Sequence, residues 1–281
     1  MKPAWHEPFT PEALRYEPNL PVLDEITPEW AWGGSTGRGV RVGIIDSGIN
    51  ADHPAVGGMV RGGVTVVEQG GTTSYDPSSY EDAFGHGTAC AGIVHRVAPE
   101  AELYAVRVMG PSGGGTGAMF AAGLRWAIEN GLQVLNLSLG TTKRDWFAAL
   151  HDLADAAYFR NVVLVTAANN YPQVSFPSLY ASVISVACSD EQDPLRFYYN
   201  PAPPVEFGAP GIEVPVAWEG GGYATMTGNS FAAPHITGIV ALILAKHPGL
   251  APFVVKTILR STAWNARHRP TRPGSAADSG E

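Results

Sequence analysis

Gly228-Asn229-Ser230-Phe231-Ala232-Ala233-Pro234-His235 opens the most apolar part of the chain, residues 236–245, broken only by Thr237 and Gly238. That run is too short to span a bilayer and has the length of a buried core helix, so a helix is expected over residues 231–246. A helix N-terminus presents unpaired N–H groups and a partial positive charge, which suits an oxygen that must become an oxyanion. Pro234 is expected in the first helical turn, where no N–H is needed. A serine before a helix is by itself most often an N-cap, so its role depends on its neighbours.

Residues 40–45 read as a short buried strand ending in Asp46-Ser47-Gly48. A carboxylate at the C-terminal end of such a strand lies where open parallel sheets keep their sites, although Asp is also common in plain turns. Further on, Phe84-Gly85-His86-Gly87-Thr88-Ala89-Cys90-Ala91-Gly92 sets a histidine between two glycines that let another backbone come close. Around these segments, strands are expected at 40–46, 102–108, 134–139, 162–167 and 183–187. Helices are expected at 117–129, 145–159, 231–246 and 251–259. The alternation predicts an α/β fold, a doubly wound, mostly parallel sheet with helices on both faces.

Asp46, His86 and Ser230 follow one another in the order Asp, His, Ser, each in the local setting described. On these three motifs the chain resembles the subtilase superfamily of serine proteases, from about Trp30 to about Trp264. The resemblance implies a subtilisin-like fold and a serine endopeptidase working through an acyl-enzyme. In it Ser230 is the nucleophile, His86 the general base and acid, and Asp46 the group that orients the histidine. It further implies an oxyanion-hole amide at Asn170, with Asn169 where the family usually has Gly. Ser138-Leu139-Gly140 and Gly113-Gly114-Gly115-Thr116-Gly117, within it Gly114 and Gly115, resemble the two segments that pair with substrate backbone, and Ser175 aligns with the floor of the S1 pocket. Backbone pairing implies broad or peptide-processing specificity. Asn229 replaces the family's usual Thr before the nucleophile. Ala55 and the shortened stretch 93–97 leave no room for the calcium loop of secreted relatives. A transamidase and a silent peptide-binding module are the rival readings. No insertion near His86 favours the first, and the intact triad argues against the second.

Composition sets further limits. The 281 residues, 45% hydrophobic with 33 Gly, suit one large α/β domain. A net charge of −8 argues against nucleic acid as the main partner, and no membrane partner is expected. Peptides or proteins are the expected substrates, the sequence leaves the oligomeric state open, and no cofactor or metal is expected, since no Cys/His cluster has zinc spacing. Two cysteines, Cys90 and Cys188, fit free thiols of a reducing compartment, and no apolar leader follows Met1, so a cytoplasmic location is expected. Residues 1–30, with six of the 23 prolines, are expected as an extended arm, 31–266 as the catalytic domain, and 267–281 as a disordered tail.

Overall fold

The computed structural model describes residues 2, 4–14, 25–202, 204–218 and 221–268. A 3₁₀ turn at Glu7–Phe9 precedes α1 (Pro28–Trp32), β1 (Arg41–Asp46), β2 (Val60–Gln69) and β3 (Thr72–Asp76). Then come α2 (His86–Val97), β4 (Glu102–Arg107), α3 (Gly117–Glu129), β5 (Val134–Leu137), α4 (Phe147–Phe159), β6 (Val163–Ala167) and β7 (Ile184–Ser189). The C-terminal part holds β8 (Tyr198–Tyr199), β9 (Phe207–Pro210), β10 (Val214–Trp218), β11 (Gly222–Met226), α5 (Asn229–Lys246), α6 (Pro252–Thr262) and α7 (Trp264–Arg267).

Nine strands form one sheet in the order β3-β2-β4-β1-β5-β6-β7-β9-β8. Every pairing is parallel except β2 with β3 and β8 with β9, as a doubly wound sheet requires. Side chains alternate across it. Val42 and Ile44 join one core cluster with α2 and α5, while Ile45 joins the opposite cluster with α3 and α4. β1 lies between β4 and β5, and the strand order runs outward from it both ways. The crevice beyond its C-terminal end is therefore the place where such sheets bind ligands. Asp46 ends that strand.

The five expected strands are β1 and β4 to β7, with ends differing by at most two residues, and the helix at 117–129 is α3. The hairpin β2–β3 and the strands β8 to β11 were not anticipated. Gly62 and Gly63 interrupt β2, whose register shifts there, and Phe207–Pro210 carries the Gly and Pro that strands normally avoid. Of the expected arm, residues 1, 3 and 15–24 lie outside the described residues, and the rest is not extended throughout. Phe9 is buried in the 3₁₀ turn, and α1 starts before residue 30 because Thr27 caps it and Pro28 fits its first turn. Of the expected tail, all residues beyond His268 lie outside the described residues. No helix among the described residues is long and apolar enough to cross a membrane.

Candidate active site

Asp46 is fully buried, and its two carboxylate oxygens meet His86 Nδ1 at 2.8 and 2.9 Å. Its Oδ1 also accepts from the Ser47 N–H at 2.8 Å. His86 is the first residue of α2, and the residue before it, Gly85 at φ 95, has no side chain with which to cap the helix. Asp82 supplies the cap. Its Oδ2 accepts from Thr88 N–H and Oγ1 at 2.7 and 2.5 Å, its Oδ1 from the N–H groups of Phe84 and Gly85 at 3.0 and 2.8 Å. Ser47 Oγ donates to the same carboxylate at 2.6 Å and accepts from Gly87 N–H at 2.9 Å. One carboxylate therefore fastens the Asp turn to the His helix. A Cβ on Gly87 would collide with Gly48 O, so only glycine permits this approach.

Two titrations follow from this packing. Burial disfavours the charged form of His86, but the Asp46 carboxylate against its ring outweighs that and raises its pKa well above the usual value. Burial likewise works against the Asp82 charge. The hydrogen bonds from Ser47, Thr88 and Phe84 outweigh it and hold the carboxyl below its usual range.

The second half of the site is assembled at the start of α5. The helix begins at Asn229, earlier than expected, so Pro234 lies inside it rather than where no N–H is needed. Proline lacks the N–H that would pair with the carbonyl four residues back, and that carbonyl belongs to Ser230. Ser138 Oγ donates to it instead, at 2.7 Å. Ser230 Oγ donates to Ser138 O at 3.1 Å, and not to His86. Behind them, Asn136 Nδ2 donates to Ser138 Oγ and Thr237 Oγ1 to Asn136 Oδ1, both at 3.0 Å.

Asn170 follows β6 and faces this turn. Its Oδ1 accepts from the Asn229 N–H at 2.8 Å, which leaves Nδ2 as a free donor beside the cavity it shares with Ser230. Asn169 borders the same cavity, but its Oδ1 is engaged by the Tyr171 N–H at 2.9 Å, an Asx turn. This cavity, about 190 Å³, is also walled by Ser138, Leu139, Gly140 and Ser175. The Ser175 hydroxyl pairs with that of Ser178 at 3.0 Å. A trough of about 400 Å³ adjoins His86, with Gly114 and Gly115 on one side and residues 138–140 on the other. The Gly114 carbonyl accepts from Gly110 N–H, so that part of the expected pairing segment belongs to its own turn. The expected site residues other than the buried Asp46 thus line these two cavities, which share Ser138, Leu139 and Gly140. A larger cavity, about 750 Å³, lies between the arm and residues 170–172 and borders neither His86 nor Ser230.

Among the described residues, the only cluster able to hold a metal is Asp46, His86 and Cys90. There the histidine and the carboxylate already turn their facing atoms on each other. Sequence reasoning missed Asp82, Asn136 and the hub role of Asn229. A carboxylate three residues before a glycine that cannot cap the following helix was a readable signal for Asp82. The partners of Asn136 and Asn229 lie far along the chain and left no such signal.

An imidazole oriented by a buried carboxylate, beside a helix-borne serine at the C-terminal edge of a parallel sheet, is the layout of a serine hydrolase. Residues 37–280 match the model of the subtilase family, and the chain belongs to that family as a subtilisin-like serine endopeptidase. It is 32% identical to M-protease of Shouchella clausii (strain KSM-K16), over 90% of this chain and 71% of that protein. Subtilisin Savinase of Lederbergia lenta is 35% identical over 82% of this chain and 85% of its own length. Subtilisin DY of Bacillus licheniformis is 36% identical over 83% and 86%. Among solved structures, a cold adapted subtilisin-like serine proteinase superposes with a TM-score of 0.67 at 28% identity, over 81% of this chain and 83% of that one.

Proposed function

We propose that this endopeptidase cleaves peptide bonds through an acyl-enzyme, with Ser230 as nucleophile, His86 as general base and Asp46 as the orienting carboxylate. The observation that carries this reading is the Asp46–His86 pair, closed at 2.8 Å, with His86 lining a trough that shares Ser138, Leu139 and Gly140 with the cavity of Ser230 and Asn170. Attack requires the Ser230 hydroxyl to leave Ser138 O and donate to His86 Nε2. Its oxygen then bonds the scissile carbon while the proton passes to the ring, and the carbonyl oxygen becomes an oxyanion between Asn170 Nδ2 and the Ser230 N–H. His86 returns the proton to the leaving amine. Water, deprotonated by the same ring, then attacks the acyl carbon, and the proton passes to Ser230 Oγ as its bond to that carbon breaks. Asp46 keeps Nδ1 protonated and steadies the imidazolium. The small, partly hydroxylated cavity beside Ser230 suits a medium-sized side chain on the acyl side, and backbone pairing along residues 138–140 and 113–115 suits broad specificity. Both cysteines are buried and unpaired, which supports action in a reducing, cytoplasmic setting.

A mixed peptide library digested with and without a serine-directed phosphonate tests this reading by mass spectrometry. Cleavage abolished by the phosphonate, with the label on Ser230, is the expected result. Cleavage that survives labelling, or a label elsewhere, overturns it.

A further inference from the structure

The N-terminal arm touches the catalytic half that holds Asn170. Ala4 N–H donates to Asn170 O at 2.5 Å, and Ala4 O accepts from Asn229 Nδ2 at 3.1 Å. The same Nδ2 reaches Ala168 O and Asn169 O at 3.2 and 3.0 Å, and Asn229 Oδ1 accepts from Cys188 N–H at 2.9 Å. Asn229 N–H in turn holds Asn170 Oδ1. A single buried amide, next to the nucleophile in sequence, therefore joins the arm, the end of β7 and the segment that carries Asn170. A hydroxyl side chain in its place has one hydrogen and could not serve these carbonyls together.

The arm is anchored on both sides of Ala4. Lys2 Nζ lies 3.0 Å from Asp190 Oδ2 and His6 Nε2 lies 3.2 Å from Asp190 Oδ1. Phe9 is 2% exposed and seats on Gly208, where a Cβ would collide with its ring. Trp5, between these ties, is held at φ 69, a backbone region that side chains other than Asn, Asp and His seldom occupy. A strand resting loosely on the surface would relax that residue.

We propose that residues 4–9 are a positioning element of the oxyanion hole. Docked through Asn229, the arm holds the Asn170 carbonyl while Asn229 N–H holds its Oδ1, and the two bonds together aim Nδ2 at the crevice. This inference rests on the oxyanion role given to Asn170 above. With the arm released, Asn170 is restrained from one side only. The donor then loses its alignment without any change in the substrate cleft.

The test uses the full chain and three variants. Ala4→Pro removes the N–H on Asn170 O, Phe9→Ala removes the anchor, and Asn229→Ser leaves a single donor where two are needed. Each is made with Asn170 present and in an Asn170→Ala background, with Tm, kcat and KM measured throughout. Expected with Asn170 present is a kcat lower by ~10-fold at a nearly unchanged KM, since a misaimed donor acts on the transition state. In the Asn170→Ala background the same substitutions should cost nothing further. If Asn229→Ser fails to fold, Ala4→Pro and Phe9→Ala, outside the sheet and its helices, decide alone. Equal kcat losses in both backgrounds would mean general loosening and overturn the proposal. Full kcat in both arm variants, with hydrogen exchange showing the amides of residues 5–7 and 9 newly unprotected, would overturn it too. A wild type without serine-dependent turnover removes the reading of Asn170, and the arm proposal with it. An active wild type with indifferent arm variants removes the arm proposal alone.

Discussion

The two halves of this active site are held together by different physics. The base half, Asp46 with His86, is fixed by charge: a buried carboxylate on an imidazole, and a second carboxylate, Asp82, gathering hydrogen bonds from the loop and helix around it. The nucleophile half, Ser230 with Asn170, is fixed by neutral amides and hydroxyls on Asn229, Asn136, Ser138 and Thr237. Charge responds to pH, and neutral hydrogen bonds respond to geometry. The base half should therefore govern when the enzyme works, and the nucleophile half how well.

The bluntest way to break the comparison is to remove a member of the triad, because both halves are needed for any covalent step. Ser230→Ala and His86→Ala should each lower kcat by roughly 10⁶, the loss known for subtilisin itself, whose triad acts as a unit. Asp46→Asn should cost about 10⁴, the size seen for that change in another Ser-His-Asp protease. Ser230→Ala should fold normally, since it deletes only a small hydroxyl. Retained turnover in that variant, measured on any cleaved peptide, contradicts the nucleophile assignment.

A finer separation comes from combining Asn170→Ala with a pH profile. Loss of an oxyanion donor costs ~10²–10³ in kcat in subtilisin, and Asn170→Ala should behave likewise with little change in KM, while Asn169→Ala should do much less. The reverse ranking would mean that Asn169 supplies the amide. The acid limb of kcat/KM should sit above the ordinary histidine value of about 6.5, because the Asp46 carboxylate raises His86. The base works neutral, so activity climbs as pH rises through that raised pKa. The stability supplied by the charged pair runs the other way: it is full below about 6.5 and is lost as pH rises through the folded value. Asn170→Ala should lower the whole profile without moving its limb. A limb that moves in Asn170→Ala would show that the two halves are coupled electrostatically.

Asp82→Ala probes the base half without touching the triad. It removes the cap of α2, worth ~1 kcal/mol, and should lower Tm by about 2–4 °C. Activity should fall about tenfold, because His86 opens the helix that Asp82 holds. A folded Asp82 below its usual range contributes stability that is present above about pH 3.9 and lost as pH falls through the folded value. The Tm gap between wild type and variant should therefore close in acid. A gap that does not narrow as pH falls below the ordinary carboxylate range would mean that packing, not charge, gives Asp82 its role.

How far the site could be read in advance follows the same division. The base half comes from residues 46–88, where the strand end at Asp46 and the glycines around His86 are readable locally, although α2 and Asp82 were not anticipated. The sheet strands β1 and β4 to β7 were legible for the same reason, as short, mainly apolar runs. The nucleophile half draws on Ala4, Asn136, Ser138, Asn170, Cys188 and Thr237, contacts spanning up to 225 positions between Ala4 and Asn229. No local pattern encodes that Asn229 would hold the arm, or that Pro234 would free the Ser230 carbonyl for Ser138. β2 and β9 were missed because glycine and proline within them mask a strand whose existence is decided by its neighbours in the sheet.

The smallest expected effect is at Cys90, where the two halves meet. Its Sγ lies 3.9 Å from Asp46 Oδ2, 4.0 Å from His86 Nδ1 and 3.6 Å from Ser230 O, fully buried. Burial pushes its pKa up, so it is a protonated thiol rather than a nucleophile. Cys90→Ala should accordingly keep kcat within about threefold, as expected of a small apolar filler. A small mercurial is a sharper probe, since a bulky adduct at Cys90 would displace His86 from Asp46. Wild type should be inhibited and Cys90→Ala resistant, with acylation by the phosphonate slowed in parallel. Cys188 is the control: its thiol is raised to about 12 by burial, and its N–H is bonded to Asn229 Oδ1. If Cys90→Ala stays as sensitive as wild type, the adduct acts at Cys188 and disturbs the nucleophile half through Asn229. An inactive Cys90→Ala would instead show that the base half depends on packing at this thiol as well as on charge.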